Sequence, residues 1–293
     1  METKNDAGSS SSLRACELAN QKPLDLVISV DTTLSMHGVL QELRGAIDNI
    51  LQRLIRDTID LRVAIIAHGD YYDGDDAYVT KCVDFTKDGA KLSHFVRTLD
   101  GTSGGDWAEC YELVLHIVRE ELSWRPDSKR IVVMLGDAVP HEVHYPHNLQ
   151  RIDWREEIKK LRDERKVTVT AIQAYSDTEA DYFWRHITSQ SGGRLLRLGC
   201  FEELVGPMLL ALVYNAYDRN LFTVSRLPLL SAFEDEMLAC EPDNRKCRLV
   251  RHMFDTLRYD NRHQGDTAYF APKLMDSNDV KKYGSQSGIQ TAR

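Results

Sequence analysis

A chain of 293 residues, 42% of them hydrophobic, is long enough for one sizeable core with an appendage or for two modest domains. The formal charge of -8 argues against a nucleic-acid binder that works by neutralising phosphates. The sequence contains no run of about 18 apolar residues, so it offers no membrane span, and its six scattered cysteines form no Cys-x-x-Cys pair, which fits a reducing, cytoplasmic compartment better than a disulfide framework.

Residues 1–22 are polar and Ser-rich and read as a disordered lead-in without the apolar core of a secretory signal. Leu24 to Ser35, LDLVISVDTTLS, follows. Its apolar run predicts a buried parallel strand, and the strand ends in Asp31 with Thr33 and Ser35 on the loop beyond. One carboxylate and two hydroxyls on a short loop at the carboxyl end of a strand suit a hard cation that binds oxygen.

Gly38 to Arg56 places Leu40, Leu43, Ile47, Ile50, Leu51 and Leu54 at three-and-four spacing, which predicts an amphipathic helix. Leu61–Ala67 is the next strand. The acidic turn His68–Asp76 leads so quickly into Tyr78–Phe85 that the two strands are expected to pair antiparallel, as a hairpin at one sheet edge. That turn, with Asp70, Asp73, Asp75 and Asp76, is read as a solvated tip.

Ala90–Leu99 is a short helix, and the small-residue loop Asp100–Asp106 hands over to a helix over Trp107–Leu122 that Asp106 is expected to cap. Arg130–Leu135 is a second central strand, ended by Gly136-Asp137 as Val30-Asp31 ends the first. A helix over Asp153–Arg165, a strand over Val167–Ala174, a helix over Thr178–Gln190 and a strand over Arg194–Leu198 complete the alternation. This pattern predicts an α/β fold with a doubly wound, mostly parallel sheet over residues 23–200. Residues 201–293 are read as a helical and irregular extension, helical over Phe201–Asn220. Phe201, Leu204, Met208, Leu209, Leu212 and Val213 form the stripe expected to pack on the domain.

Asp31, Asp106 and Asp137 fall in three loops at one predicted sheet edge. Two carboxylates about 4 Å apart repel by roughly 4 kcal/mol at an effective dielectric near 20, so three together call for protons or a cation. Asp31-Thr32-Thr33-Leu34-Ser35 resembles the Asp-x-Ser/Thr-x-Ser signature of the von Willebrand factor A domain. Gly101-Thr102-Ser103-Gly104-Gly105-Asp106-Trp107-Ala108-Glu109 is similar to the Gly-Gly-Asp-x-Pro-Glu loop of intracellular A domains linked to alpha-kinases and of the hemicentin-like branch. Leu135-Gly136-Asp137-Ala138-Val139-Pro140-His141 is similar to their Asp-Ala-Pro-Pro-His segment. Ala108 and Val139 replace family prolines, and neither position is a metal ligand.

The resemblance implies a metal-ion-dependent adhesion site with Asp31, Thr33, Ser35, Asp106 and Asp137 as ligands to Mg2+ or Mn2+. Integrin-like members use a threonine in the middle loop, so Thr102 and Ser103 stand as lesser candidates beside Asp106. It also implies a protein partner whose Asp or Glu carboxylate completes the ion's shell, and it does not imply catalysis; charge and hydropathy, as above, point to no nucleic acid and no membrane.

Two other readings compete. A haloacid-dehalogenase-type phosphotransferase wants a second carboxylate two residues after the strand-end aspartate, where this chain has Thr33. A scaffold acting through the extension alone would leave the metal site vestigial. The run His141-Glu142-Val143-His144 lacks the i, i+4 histidines of a helical zinc site, so His141 is read as orienting the neighbours of Asp137.

Overall fold

The computed structural model describes residues 22–74, 76–175, 178–199, 202–218, 228–240 and 245–258. Most of the expected lead-in, Phe201 of the expected stripe and the chain beyond 258 lie outside these residues. β1 (Leu24–Asp31) is buried along its whole length at the centre of a six-stranded sheet. β2 (Leu61–His68) lies on one side of it and β5 (Lys129–Gly136) on the other, both parallel. The sheet runs β3-β2-β1-β5-β7-β8, where β3 is Thr80–Thr86, β7 Val167–Ala174 and β8 Leu195–Gly199. Only β3 is antiparallel, as the short connection from β2 requires.

Helices cover both faces, which is why the central strands read as unbroken apolar runs. Alternation along β1 sends Leu26, Ile28 and Val30 to one face and Val27 to the other. The first face packs under α1 (His37–Asp57), α2 (Gly89–Arg97) and α6 (Val205–Asp218). The second packs under α3 (Tyr111–Glu120), α4 (Trp154–Asp163) and α5 (Asp181–Ser191). Asp88 caps α2 and Asp153 caps α4, each carboxylate accepting a first-turn backbone N–H.

From β1 the chain winds to β2 on one side and then returns to β5 on the other. The strand order therefore reverses between β1 and β5. In a doubly wound sheet the connections leave a crevice at that point, at the carboxyl ends of the strands. Asp31 closes β1 and Asp137 follows β5, so the register Val30 to Leu135 brings both to this crevice.

Two local expectations are corrected. The helix expected from Trp107 begins at Tyr111, because Ala108–Glu109 (β4) pairs in parallel with Val139–Pro140 (β6) as a separate two-residue ladder. Asp106 therefore caps no helix, and its Oδ1 accepts the Ala108 N–H at 2.8 Å. The irregular region expected after Asn220 holds two helices, α7 (Pro228–Cys240) and α8 (Arg245–Arg258). In α8, buried Leu249, Val250, Met253, Phe254 and Leu257 recur at helical spacing beneath an Arg-rich composition that masks the pattern.

α6 packs on β5, β7 and α1, and α7 and α8 close over its outer side. Leu204, Met208, Leu209, Leu212 and Val213 of the expected stripe are all buried. Burial on every side, rather than along one stripe, distinguishes α6 from the surface helices. The Asp218 carboxylate at its end accepts the Leu229 and Leu230 N–H groups at 2.9 and 3.0 Å, which fixes the start of α7.

Candidate metal centre

Asp31 is fully buried at the end of β1. Its Oδ1 accepts the Thr33 N–H at 2.9 Å and the Thr33 hydroxyl at 2.6 Å, so the loop folds back over its own aspartate. Thr33 Oγ1 lies 3.4 Å from Ser35 Oγ, which places one carboxylate and two hydroxyls on one exposed-to-buried gradient. Burial pushes the Asp31 carboxyl up, against the opposing pull of its hydrogen bonds from Thr33 and Tyr111.

The Tyr111 hydroxyl joins the outer loops. It donates to Asp31 Oδ2 and accepts the N–H groups of Asp137 and Ala138 at 3.1 and 3.3 Å. Gly136 makes this approach possible, since a Cβ there would lie 2.1 Å from the hydroxyl oxygen. Tyr111 is a functional neighbour that sequence reasoning missed, because nothing in a helical tyrosine announces that its hydroxyl reaches two strand ends.

Glu109, just after the middle loop, is a buried carboxylate on the same side as Asp31. The β4–β6 ladder carries it under the loop, where Gly104, at φ 72°, turns so tightly that a Cβ would lie 2.8 Å from Glu109 Oε1. Burial, then the charges of Asp31, Asp70, Asp73 and Asp137, pushes the Glu109 carboxyl up to about 10. Its Oε2 is buried without a hydrogen-bond partner. Asp106, three residues earlier in the chain, is exposed, and its Oδ2 accepts the Tyr145 hydroxyl at 2.9 Å. Thr102 is buried facing Thr32, with their hydroxyl oxygens 3.4 Å apart, while Ser103 gives its N–H to Asp73.

The acidic turn after β2 is solvated only in part: Asp76 is exposed and Asp75 lies outside the described residues, but the other two aspartates turn inward. Asp70 and Asp73 are buried, because Asp73 accepts N–H groups from Asp70 at 2.8 Å, Ser103 at 2.8 Å and Gly104 at 3.2 Å and so stitches this turn to the middle loop. His141 Nε2 meets Asp70 Oδ1 at 2.7 Å, so its partner is Asp70 rather than the surroundings of Asp137. Burial raises the Asp70 carboxyl, but the His141 hydrogen bond and charge outweigh it and hold it low. Asp70, Cys110 and His141 are all buried, and their ligand-type atoms lie within 4.8 Å of one another.

Five carboxylates thus gather where the winding of the sheet reverses, with hydroxyls at their edge. Two sets of side chains there could hold an ion: the oxygen set around Asp31, and the mixed trio of Asp70, Cys110 and His141. Large apolar side chains stand around the opening. Leu34 lies between Thr33 and Ser35 with 74% of its surface exposed, and Tyr72 and Trp107 flank the middle loop at 54% each.

A doubly wound sheet with its polar side chains collected at the switch point defines an α/β module whose candidate site lies at the carboxyl ends of its strands. The chain belongs to the von Willebrand factor type A domain family, whose model matches residues 25–204. No curated protein matches it.

Among solved structures, the pilus adhesin SpaC from Lactobacillus rhamnosus GG in its open conformation matches at 16% identity and a TM-score of 0.52, over 68% of this chain and 30% of the adhesin. The conserved hypothetical protein BatB from Bacteroides thetaiotaomicron matches at 12% identity and a TM-score of 0.44, over 63% of this chain and 96% of that one. An aerotolerance-related membrane protein from Bacteroides fragilis NCTC 9343 matches at 12% identity and 0.43, over 63% and 95%. Family membership points to a protein-interaction or adhesion module, a class that is typically non-enzymatic and often binds a divalent metal. No helix among the described residues is long and apolar enough to cross a membrane.

Proposed function

We propose that this protein is a cation-dependent protein-binding module in which Mg2+ or Mn2+ is held by Asp31, Thr33, Ser35 and Asp137, with Glu109 rather than Asp106 as the middle-loop carboxylate. The observation that carries this reading is Glu109, a buried carboxylate with an unpartnered oxygen among four further aspartates. Such a group is stable in its ionised form only beside a cation. The donor set fits a hard ion: every candidate ligand atom is oxygen, and the 3.4 Å between Thr33 Oγ1 and Ser35 Oγ is within about 0.4 Å of the roughly 3.0 Å edge of an octahedron with bonds near 2.1 Å.

These protein ligands leave one outward position, which a partner's Asp or Glu carboxylate completes in a charge-assisted contact. Leu34, Tyr72 and Trp107 supply the apolar collar on which the partner's neighbouring side chains pack. The role is binding, in a cytoplasmic setting, without chemistry on the partner.

Thermal melts of the full chain in chelator and in about 10 mM magnesium test the ion. At ten times Kd the expected gain is roughly 1.4 kcal/mol, a few degrees for a domain of this size. Asp31→Ala should erase the gain while keeping the fold, since Asp31 lies beyond the apolar run of β1. Capture of a partner by wild type in magnesium should be lost in chelator and in Asp31→Ala. A melt that ignores magnesium in the wild type would defeat the proposal.

A further inference from the structure

The trio Asp70, Cys110 and His141 is built by different means from the oxygen set. β4 and β6 pair in parallel with Glu109 opposite Pro140, so Cys110 and His141 are the next residues along the same ladder and leave it side by side. The Cys110 N–H donates to Gly69 O at 3.2 Å, which ties the third residue, Asp70, to the same point. The His141 N–H donates to Glu112 Oε2 at 3.1 Å, and its ring stacks on Tyr145 at 3.8 Å between centroids. Each of the three is therefore positioned by its backbone and cannot drift away from the others.

The chemistry differs as well. A thiol, an imidazole nitrogen and a carboxylate oxygen form the mixed donor set of a borderline-soft ion, whereas magnesium takes oxygen and water. Tetrahedral zinc with bonds of about 2.0 to 2.3 Å needs ligand atoms roughly 3.3 to 3.6 Å apart. Here all three lie within 4.8 Å, with Nε2 and Oδ1 at 2.7 Å, so side-chain torsions alone reach that spacing. The second Asp70 oxygen, Oδ2, is buried and has no hydrogen-bond partner of normal geometry.

We infer that Asp70, Cys110 and His141 form a second, zinc-type site beside the magnesium-type site, holding the ion through Asp70 Oδ, Cys110 Sγ and His141 Nε2 with a water in the fourth position. Loading it replaces the Asp70–His141 hydrogen bond with two metal bonds: the Cys110 thiol proton leaves to solvent, the proton on His141 Nε2 leaves that nitrogen, moving to Nδ1 in a neutral ring or to solvent from a charged one, and the thiolate and the Asp70 carboxylate together balance the 2+ ion. Asp70 is one of the charges acting on Glu109, so an ion here also relieves the neighbouring oxygen set.

Cobalt(II) is the probe, because a cobalt–thiolate bond gives a near-ultraviolet charge-transfer band that oxygen-only sites cannot give. Chelator-treated full chain titrated with cobalt chloride should develop this band to one equivalent, and zinc chloride should displace it while magnesium should not. Cys110→Ser should remove the band even though five other cysteines remain, and the near-isosteric Asp70→Asn should weaken cobalt binding at least tenfold. Asp31→Ala should keep the band, which separates this site from the magnesium reading. No band in the wild type, or an unchanged band in Cys110→Ser, overturns the inference. If Cys110→Ser proves unfolded by circular dichroism, Asp70→Asn decides, with unchanged cobalt affinity counting against the site.

Discussion

At pH 7 a carboxyl held near 10 keeps its proton, so the metal-free protein carries Glu109 as the acid. The folded state then binds more protons than the unfolded chain from the ordinary value of 4.5 up to about 10, and the stability of chelated protein falls as pH rises across that window. Glu109→Gln mimics the protonated acid and should flatten the fall. It should also remove most of the magnesium gain, because the amide cannot supply the charge. Melts of chelated wild type and variant between about pH 5.5 and about pH 8.5 check this. Equal slopes in the two proteins would show that another group titrates. Sequence reading quoted Glu109 inside its motif and favoured Asp106, with Thr102 and Ser103 beside it; that Glu109 is buried and Asp106 exposed is set by the β4–β6 ladder, which no spacing announces.

The elements are fastened at the opposite end of the sheet by a different carboxylate. Asp25, at the start of β1, accepts two bonds from Arg62 of β2 at 2.9 and 2.8 Å, the Arg125 N–H at 2.9 Å and the Ser128 hydroxyl at 2.8 Å. Burial alone would raise its carboxyl, but the Arg62, Arg125 and Ser128 hydrogen bonds outweigh it and hold it at about 2. This contribution is fully present above the unfolded value of 3.8 and is lost as pH falls through about 2. It is worth about 1 to 2 kcal/mol once solvent screening is allowed for. Asp25→Asn should lower the melting temperature at neutral pH by several degrees, and the gap from wild type should close below about pH 3. A gap that persists in acid would point to lost packing instead.

At the scale of the molecule, α6 makes the sheet and the C-terminal helices one structure. Leu204, Val205, Met208, Leu209, Leu212 and Val213 are all buried. At about 1.5 to 3 kcal/mol for each such side chain, their burial is on the order of 10 kcal/mol, comparable with the whole net stability of a domain. Truncation after Gly199 should therefore give an aggregating or unfolded product. A soluble product that melts at the full chain's temperature would make the C-terminal helices an independent module.

What the sequence determined by itself was the pattern of strands and helices, the antiparallel β3 edge and the position of Asp31, Thr33, Ser35 and Asp137 at strand ends. Periodicity reports which face is buried, and the run-then-aspartate signal reports where a strand stops. What only the tertiary structure decided was which middle-loop side chain turns inward, that Tyr111 bridges β1 to β5, that Asp70 and Asp73 are buried beneath a loop 30 residues later, and that Cys110 and His141 meet. These depend on a two-residue ladder and on loops converging from distant parts of the chain, and so short a pairing leaves no periodicity in either strand to be read.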